Sequence, residues 1–233
     1  MENSFDYISQ AQTMEIAKSQ REYLSKVYAW MVGGLLATAF TSAFFMATGL
    51  QYFIMNIPMG YLLLIIAQFG LVAYLSARID RMSTQTATMS FFAYAILTGI
   101  TFSIILMMFD EAVIFSTFLI TAGMFGGLSA FGYFTKKDLS GVGSFMFMGL
   151  IGIILASIIN FFLVNSALNF VINIIGVIVF AGLTAYDTQK IKEMHYLQIY
   201  GNEVAAKGAI LGALMLYLDF INLFLFLLRL FRR

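Results

Sequence analysis

The stretch ALMLYLDFINLFLFLLRLFRR, residues 213–233, decides the fold class of this chain. It is almost entirely apolar up to Arg229, and it carries one acid, Asp219, near its middle. An apolar run of about 20 residues is long enough to cross the hydrocarbon core of a bilayer as a helix. A second stretch, GLTAYDTQKIKEM (182–194), closes another apolar run with Asp187 and then becomes basic. The two stretches predict membrane-spanning helices that each carry one carboxyl group.

The composition of the whole chain also indicates a membrane protein. Hydrophobic residues make up 61% of the 233 residues and charged residues only 11%, whereas soluble domains contain roughly 25% charged residues. The chain has no cysteine, which excludes disulfide frameworks, thiolate metal sites and cysteine nucleophiles. A net charge of +1 gives no reason to expect nucleic acid as a partner. Residues 1–25 lack the apolar core of a cleavable signal peptide, so we expect the first span to direct insertion.

Seven apolar runs reach spanning length. In lipid the backbone must satisfy its own hydrogen bonds, so such runs are helices; a membrane β-barrel would show alternating polar and apolar positions, which these runs lack. We therefore predict an all-α integral membrane protein, with an N-terminal tail (1–27) and a seven-helix transmembrane domain (28–233). The predicted spans are 28–50, 60–77, 88–109, 112–134, 142–163, 168–186 and 209–230.

The basic residues predict the orientation of the chain. They fall before the first span and after the second, fourth and sixth, whereas the other three connections contain no Lys or Arg. By the positive-inside rule the N-terminus is cytoplasmic. The residues concerned are Lys18, Arg21 and Lys26, then Arg78 and Arg81, then Lys136 and Lys137, and finally Lys190, Lys192 and Lys207.

The C-terminal arginines disagree with this pattern. Seven complete spans place Arg229, Arg232 and Arg233 outside, on the side where the rule disfavours them. Either the short tail tolerates that side, or a late segment enters and leaves the membrane by the same face. We favour seven spans because residues 209–230 are long enough to cross.

Small residues are spaced for close helix packing at two places. Gly123 and Gly127 form one GxxxG pattern, and Gly208 and Gly212 form another. Small residues at this spacing let helix backbones approach closely. We interpret both patterns as contacts within one bundle rather than as dimerisation motifs.

The two intramembrane acids are the main indication of function. An ionised carboxylate at bilayer depth costs about 3 kcal/mol or more, so it persists only beside a partner or a water-filled cavity. Asp219 lies roughly 18 Å along a helix from Lys207, near the midplane, and Asp187 lies toward the cytoplasmic end of the sixth span. Because these spans run in opposite directions, we expect the acids to meet in the inner half of the bilayer. Asn222 shares a helical face with Asp219 and is a candidate hydrogen-bond donor to it.

Two touching carboxylates are expected to share one proton. If both were ionised at about 3 Å, they would repel by roughly 5 kcal/mol at an effective dielectric of about 20. Such a pair is a proton-sensitive latch: protonated, it holds two helices together, and fully ionised, it repels itself or recruits a cation. Arg78 is a candidate counter-charge for the ionised form. In the plainer interpretation, Asp187 is an acid that reaches water from a helix end, and Arg78 is a cytoplasmic anchor.

Four segments together resemble one known family. The segments AGLTAYDTQKIKEM (181–194) and LMLYLDFINLFLFLLRLF (214–231) resemble the Bax inhibitor 1 family, also called the transmembrane BAX inhibitor motif family. The segments YLSARIDRMS (74–83) and FGYFTKKDLS (131–140) are similar to its bacterial, YccA-like members. The resemblance covers residues 20–233.

The resemblance implies a seven-helix fold whose last helix is central and surrounded by the other six. It also implies a pH-sensitive calcium leak in the bacterial inner membrane, without a cofactor, whose partners are the lipid bilayer, protons and calcium. In that activity Asp187 and Asp219 govern closure and contact calcium transiently, and Arg78 pairs with them. YccA-like members are further linked to the membrane protease FtsH as modulators or slow substrates, so a regulatory role exerted through the N-terminal tail is the alternative function.

The residue chemistry is compatible with calcium. Calcium takes oxygen ligands, and the spans offer two carboxylates together with the amides Asn222, Asn160 and Gln68. Two acids are too few for a tight cage, so the chemistry suits passage of the ion better than storage.

The enzymatic alternatives lack their defining residues. An intramembrane aspartyl protease would use the Tyr186–Asp187 pair, but its second acid belongs to GxGD, where this chain has LYLD, and Pro58 is the only proline for its Pro-Ala-Leu element. A retinal protein needs a lysine deep in the last span, and residues 209–228 contain none. His195 has no HExxH partner and is interpreted as a loop residue near the membrane surface. We therefore predict that the protein is not an enzyme.

Overall fold

The protein is a helical bundle. The computed structural model describes the backbone of residues 2–231 and the side chains of residues 14–231, and within that part it contains eight α-helices and no strand. Seven of the helices are long and apolar enough to span a membrane, so the predicted all-α membrane fold is confirmed. The helices are α1 (Glu2–Thr48), α2 (Leu50–Asn56), α3 (Gly60–Arg78), α4 (Thr84–Leu106), α5 (Glu111–Phe134), α6 (Ser140–Leu163), α7 (Ser166–Glu193) and α8 (Asn202–Leu230).

The first helix extends far beyond the predicted span. It runs without a break from Glu2 to Thr48, so no helix end coincides with the predicted boundary at residue 28. Tyr23, Leu24 and Val27 are buried in the main hydrophobic core. Hydropathy missed this part of the helix because residues 14–27 include five exposed charged side chains, Glu15, Lys18, Arg21, Glu22 and Lys26.

Besides a 3-10 turn at Ile79–Arg81 between α3 and α4, two connections contain structure that the sequence analysis did not predict. The seven-residue helix α2 follows Gly49, whose φ of 75° ends α1, and Met59, at φ 60°, turns the chain into α3. At the other end of the bundle, α7 continues seven residues past Tyr186 and a 3-10 turn then carries the chain to α8. Each addition is short or polar, so neither gives a hydropathy signal of spanning length.

Helix α8 occupies the centre of the bundle, as expected. In its apolar stretch 72% of the residues are buried inside the protein, against 6% in α6. The main neighbours of α8 are α1, α4, α5 and α7, while α3 packs chiefly on α4 and α6 on α7. The helices around α8 thus differ in depth, and α3 and α6 form the periphery.

The two GxxxG patterns have different environments. A β-carbon at Gly208 would collide with Leu197 and the Tyr23 hydroxyl, so this glycine does allow close packing. At Gly123 and Gly127 a β-carbon would meet no described atom within 4 Å. The prediction of packing within the bundle is therefore confirmed for the α8 pattern, and wrong for the α5 pattern, because that face of α5 points away from the other helices.

The connections gather charge at one end of the bundle. Lys207 at the start of α8 donates to the backbone oxygens of Asp80 and Met82, at 3.2 Å each, and Gln198 donates to the backbone oxygen of Ser19 at 3.2 Å. We call this the basic end; it holds Arg78, Arg81, Lys136, Lys137, Lys190, Lys192 and Lys207. Helix α8 continues to the opposite, far end, where it brings Arg229.

Candidate functional site

The two predicted acids lie on the most closely associated helices at the centre of the bundle. Helices α7 and α8 run antiparallel, and Gly176 of α7 lets the ring of Phe226 in α8 pack directly against the backbone. Asp219 lies near the middle of α8 and is buried, with 3% of its surface exposed. Asp187 lies in the second half of α7 and is half-buried.

The structure brings the two carboxyl groups together. The side chains of Asp187 and Asp219 lie within hydrogen-bonding reach of each other. An ionised carboxylate can only accept, so a hydrogen bond between them requires that one of the two groups carry a proton and donate it. The Oδ2 atom of Asp219 is buried and has no hydrogen-bond partner among the described residues. One oxygen of the pair is therefore left for a proton, a water molecule or a cation.

Two glycines position the part of α7 that carries Asp187. Gly132 of α5 lies directly against the backbone carbonyl oxygen of Ala185, where a β-carbon would collide with it. Gly143 of α6 faces the ring of Tyr186 at a distance that likewise leaves no room for a β-carbon. Because both contacts are made by the two residues just before Asp187, they fix the position of the α7 backbone that carries it.

Polar side chains following Asp187 fasten α7 to its neighbours. Gln189 accepts a hydrogen bond from the Leu139 amide at 2.8 Å and donates to the Lys137 backbone oxygen at 2.8 Å. Thr188 donates to the Ser129 hydroxyl at 3.2 Å. Sequence analysis missed these residues; the signal available was an uncharged amide placed directly after the acid, at a helix end where water is scarce.

A separate hydrogen-bond group anchors α8 beside Asp219. The hydroxyl groups of Tyr217 and Thr38 lie 2.6 Å apart, and Thr38 donates to the backbone oxygen of Ala95 at 3.0 Å. All three residues are buried. This group links α8 to α1 and α4, so Asp219 is presented to α7 from a helix that is held on its opposite side.

Arg78 is not brought to the acids in this arrangement. It is exposed at the end of α3 and forms no ion pair with any residue whose side chain is described. The cation that interacts electrostatically with Asp187 is Lys190, one turn further along α7. Lys190 also lies 5.9 Å from the centre of the Tyr186 ring. The spacing of three residues between Asp187 and Lys190 was the sequence signal for this neighbour.

Asn222 makes a different hydrogen bond from the one we expected. Its Nδ2 donates to the backbone oxygen of Leu218, one turn back in α8, at 2.8 Å. An amide in a buried helix has no water to pair with, so it returns to its own backbone. The expected bond to Asp219 is absent from the described hydrogen bonds.

The other two amides considered as calcium ligands are also engaged away from the acids. Gln68 donates to the hydroxyl of Thr101 at 2.8 Å, and Asn160 accepts from the Asn165 amide at 3.0 Å. Among the described residues, no group of three or more His, Asp or Glu side chains comes close enough to hold a metal. Calcium takes six to eight oxygens, so at the acid pair it would keep most of its water.

The architecture and the site define a class of protein. Seven spanning helices with a carboxyl pair enclosed between the last two make a multi-pass membrane protein with an ionisable site inside the membrane. The chain matches the model of the family described as inhibitor of apoptosis-promoting Bax1 over residues 20–233. It therefore belongs to the Bax inhibitor 1 family, as its four segments indicated.

Relatives from several bacteria match nearly the whole chain. The inner membrane protein YbhL of Escherichia coli K12 is 50% identical over 211 residues, which is 90% of each chain. An uncharacterized protein of Borreliella burgdorferi is 44% identical over 90% of this chain and 91% of its own length. The uncharacterized protein RP147 of Rickettsia prowazekii is 43% identical over 90% of this chain and 88% of its own.

Proposed function

We propose that the protein is a non-enzymatic, proton-controlled cation leak of the bacterial inner membrane, with calcium as the transported ion and the Asp187–Asp219 pair as its gate. One observation carries this proposal: two carboxyl groups from neighbouring central helices, one of them buried, lie within hydrogen-bonding reach of each other. The location is supported by YbhL, whose name describes an inner membrane protein. The charge of the basic end supports a cytoplasmic N-terminus.

The acid pair supports gating because it can hold α7 and α8 together only while at least one of its carboxyl groups is protonated. With one shared proton, the two carboxyl groups attract each other and the helices stay in contact. When that proton leaves, two carboxylates face each other in a medium of low dielectric and repel. A hydrated cation between them would relieve the repulsion, so loss of the proton favours both separation and cation entry.

The direction of the pH dependence follows from the repulsion between the two ionised carboxylates. At low pH the pair is protonated and the bundle is shut. As the pH rises through the titration of the shared proton, the pair becomes fully ionised and calcium flux increases. Lys190 lies beside Asp187 and favours its ionised form. Arg78 also lies at the basic end, and it stays a proposed counter-charge for the acids in an opened arrangement.

Calcium flux into liposomes tests the proposal. Purified protein is reconstituted with a calcium dye inside, and the flux is recorded over a range of pH. Wild-type flux should rise with pH, and the pH dependence should disappear in Asp187→Asn and in Asp219→Asn, because neither variant can form two facing carboxylates. The matched control is Asp80→Asn, an exposed acid at the basic end, which should behave as wild type. A pH-independent flux in the wild type contradicts the proposal.

The second candidate function is regulation of a membrane protease such as FtsH through the start of α1. It is favoured by exposed apolar side chains there, Met14 at 72% and Ile16 at 52% exposure. Deletion of residues 2–17 separates the two functions, since it removes Met14 and Ile16 but spares the Ser19 contact with Gln198 and the core around Tyr23. Calcium flux should survive this deletion, whereas binding of purified FtsH in a pull-down should be lost.

A further inference from the structure

The far end of the bundle contains a cavity that the acid pair does not use. Its volume is about 570 Å³, within the usual range for small-molecule sites. Most of its lining is apolar and comes from the α2–α3 connection, α4 and α8. Representative lining residues are Met59, Ile105, Met108 and Leu225, and the polar ones are Tyr61, Asn169 and Arg229.

Arg229 is the only charged residue in that lining. Its guanidinium lies 5.8 Å from the centre of the Phe226 ring and interacts with Tyr61. It forms no ion pair with any residue that the structure describes. The described lining of the cavity therefore contains one cation and no acid.

The side chain of Arg229 is open to this cavity. It is exposed in the described structure, and it lies one turn beyond Phe226, whose ring packs against Gly176 of α7. Asn169, in the first turn of α7, lines the same cavity. A guanidinium among apolar side chains needs an anion or water beside it.

We propose that this cavity binds an anionic phospholipid of the far-end leaflet, with the lipid phosphate on Arg229 and one acyl chain along the apolar wall. A planar guanidinium donates two parallel hydrogen bonds to a phosphate, which makes Arg229 the recognition group. The apolar wall excludes a free, fully hydrated anion, and the charge disfavours a zwitterionic lipid. The bound lipid supplies the counter-charge that the protein does not, which accounts for a C-terminal arginine on the side that the positive-inside rule disfavours.

Native mass spectrometry of the purified protein in detergent tests this site. Phosphatidylglycerol and phosphatidylcholine with the same acyl chains are titrated separately. Wild type should bind phosphatidylglycerol in preference, and Arg229→Gln should weaken that binding about tenfold, as expected for loss of a charge-assisted hydrogen bond. Met108→Trp fills the cavity and leaves the arginine in place, and it should also weaken binding. The matched control is Arg81→Gln, an exposed arginine at the basic end, which should have no effect.

Three results would overturn the proposal. Equal binding of the two lipids would show that the lipid charge does not determine binding. Unchanged binding of phosphatidylglycerol in Arg229→Gln would show that the lipid binds elsewhere. Displacement of phosphatidylglycerol by inorganic phosphate would show a site for a free anion. Size-exclusion chromatography checks that each variant is folded. If Arg229→Gln is not, Arg229→Lys and Met108→Trp decide: both should weaken binding, the first because lysine cannot donate two parallel hydrogen bonds, and unchanged binding in both would overturn the proposal.

Discussion

Asp219 and Arg229 lie ten residues apart on the same central helix, and their surroundings differ in one essential respect. Asp219 faces a second acid from α7 and is enclosed by helices that meet it closely. Arg229 lines an open cavity and has no acidic partner among the described residues. In the proposed mechanism, one proton shared by the two acids sets their net charge inside the protein. At the far end the counter-charge of Arg229 comes from a bound lipid.

From this difference we expect pH to act at the acid pair and membrane lipid to act at the cavity around Arg229. A site whose balance depends on an internal proton responds to pH, whereas a site that lacks an internal counter-charge responds to the composition of the membrane. The polar contacts differ as well, since α7 is fastened by side-chain hydrogen bonds near Asp187, while the wall around Arg229 is mostly apolar.

The largest expected effect comes from a methyl group added where α5 packs against α7, close to Asp187. Gly132→Ala puts a β-carbon into the backbone oxygen of Ala185, and overpacking of this kind costs about 1–3 kcal/mol. Gly127→Ala is the control on the same helix, where a β-carbon meets no described atom within 4 Å; its effect should stay within about 1 kcal/mol. Unfolding in mixed detergent micelles measures both. Equal costs would show that the two faces of α5 do not differ in packing.

An intermediate effect is expected from the matched amides at the two ends. Gln189→Ala removes two hydrogen bonds at 2.8 Å and leaves the Leu139 amide without its partner, so it should cost about 2 kcal/mol. Asn169 lines the far cavity and its side chain makes no hydrogen bond to a described residue. Asn169→Ala should therefore change the stability by less than about 0.5 kcal/mol. The same unfolding assay compares the two variants. A larger loss of unfolding free energy in Asn169→Ala than in Gln189→Ala would show that the far end is the more firmly hydrogen-bonded of the two.

The smallest effect concerns the charge beside the acid pair. Lys190 favours the ionised form of Asp187, so Lys190→Gln should keep the shared proton in place to higher pH. The calcium flux curve should then move to higher pH by about half a unit or less, because an exposed lysine is screened by water. Lys136→Gln, also exposed at the basic end, is the control and should leave the curve unmoved. A shift to lower pH would contradict the assigned sign.

The sequence predicted the elements better than the directions of the side chains. Apolar length alone was enough for seven spans, because a spanning helix has to satisfy its backbone internally. The meeting of Asp187 and Asp219 was also predictable, from their depths on antiparallel neighbours. The hydrogen bonds that Asn222 and Gln189 make could not be predicted. Whether a side-chain amide bonds to its own helix or to a neighbouring loop depends on the local packing, which residue spacing does not show. The open face of α5 was missed for the same reason, since GxxxG gives close spacing without saying which face of the helix is covered.

The glycine contacts just before Asp187 bear on how such a molecule could move. Ala185 rests on α5 and Tyr186 rests on α6 with no spare room, and Gly176 holds the ring of Phe226 in α8 equally closely nearer the far end. A change in the distance between the two acids should therefore come from a pivot of α8 about its contact at Gly176. Such a pivot leaves the contacts of α7 with α5 and α6 in place.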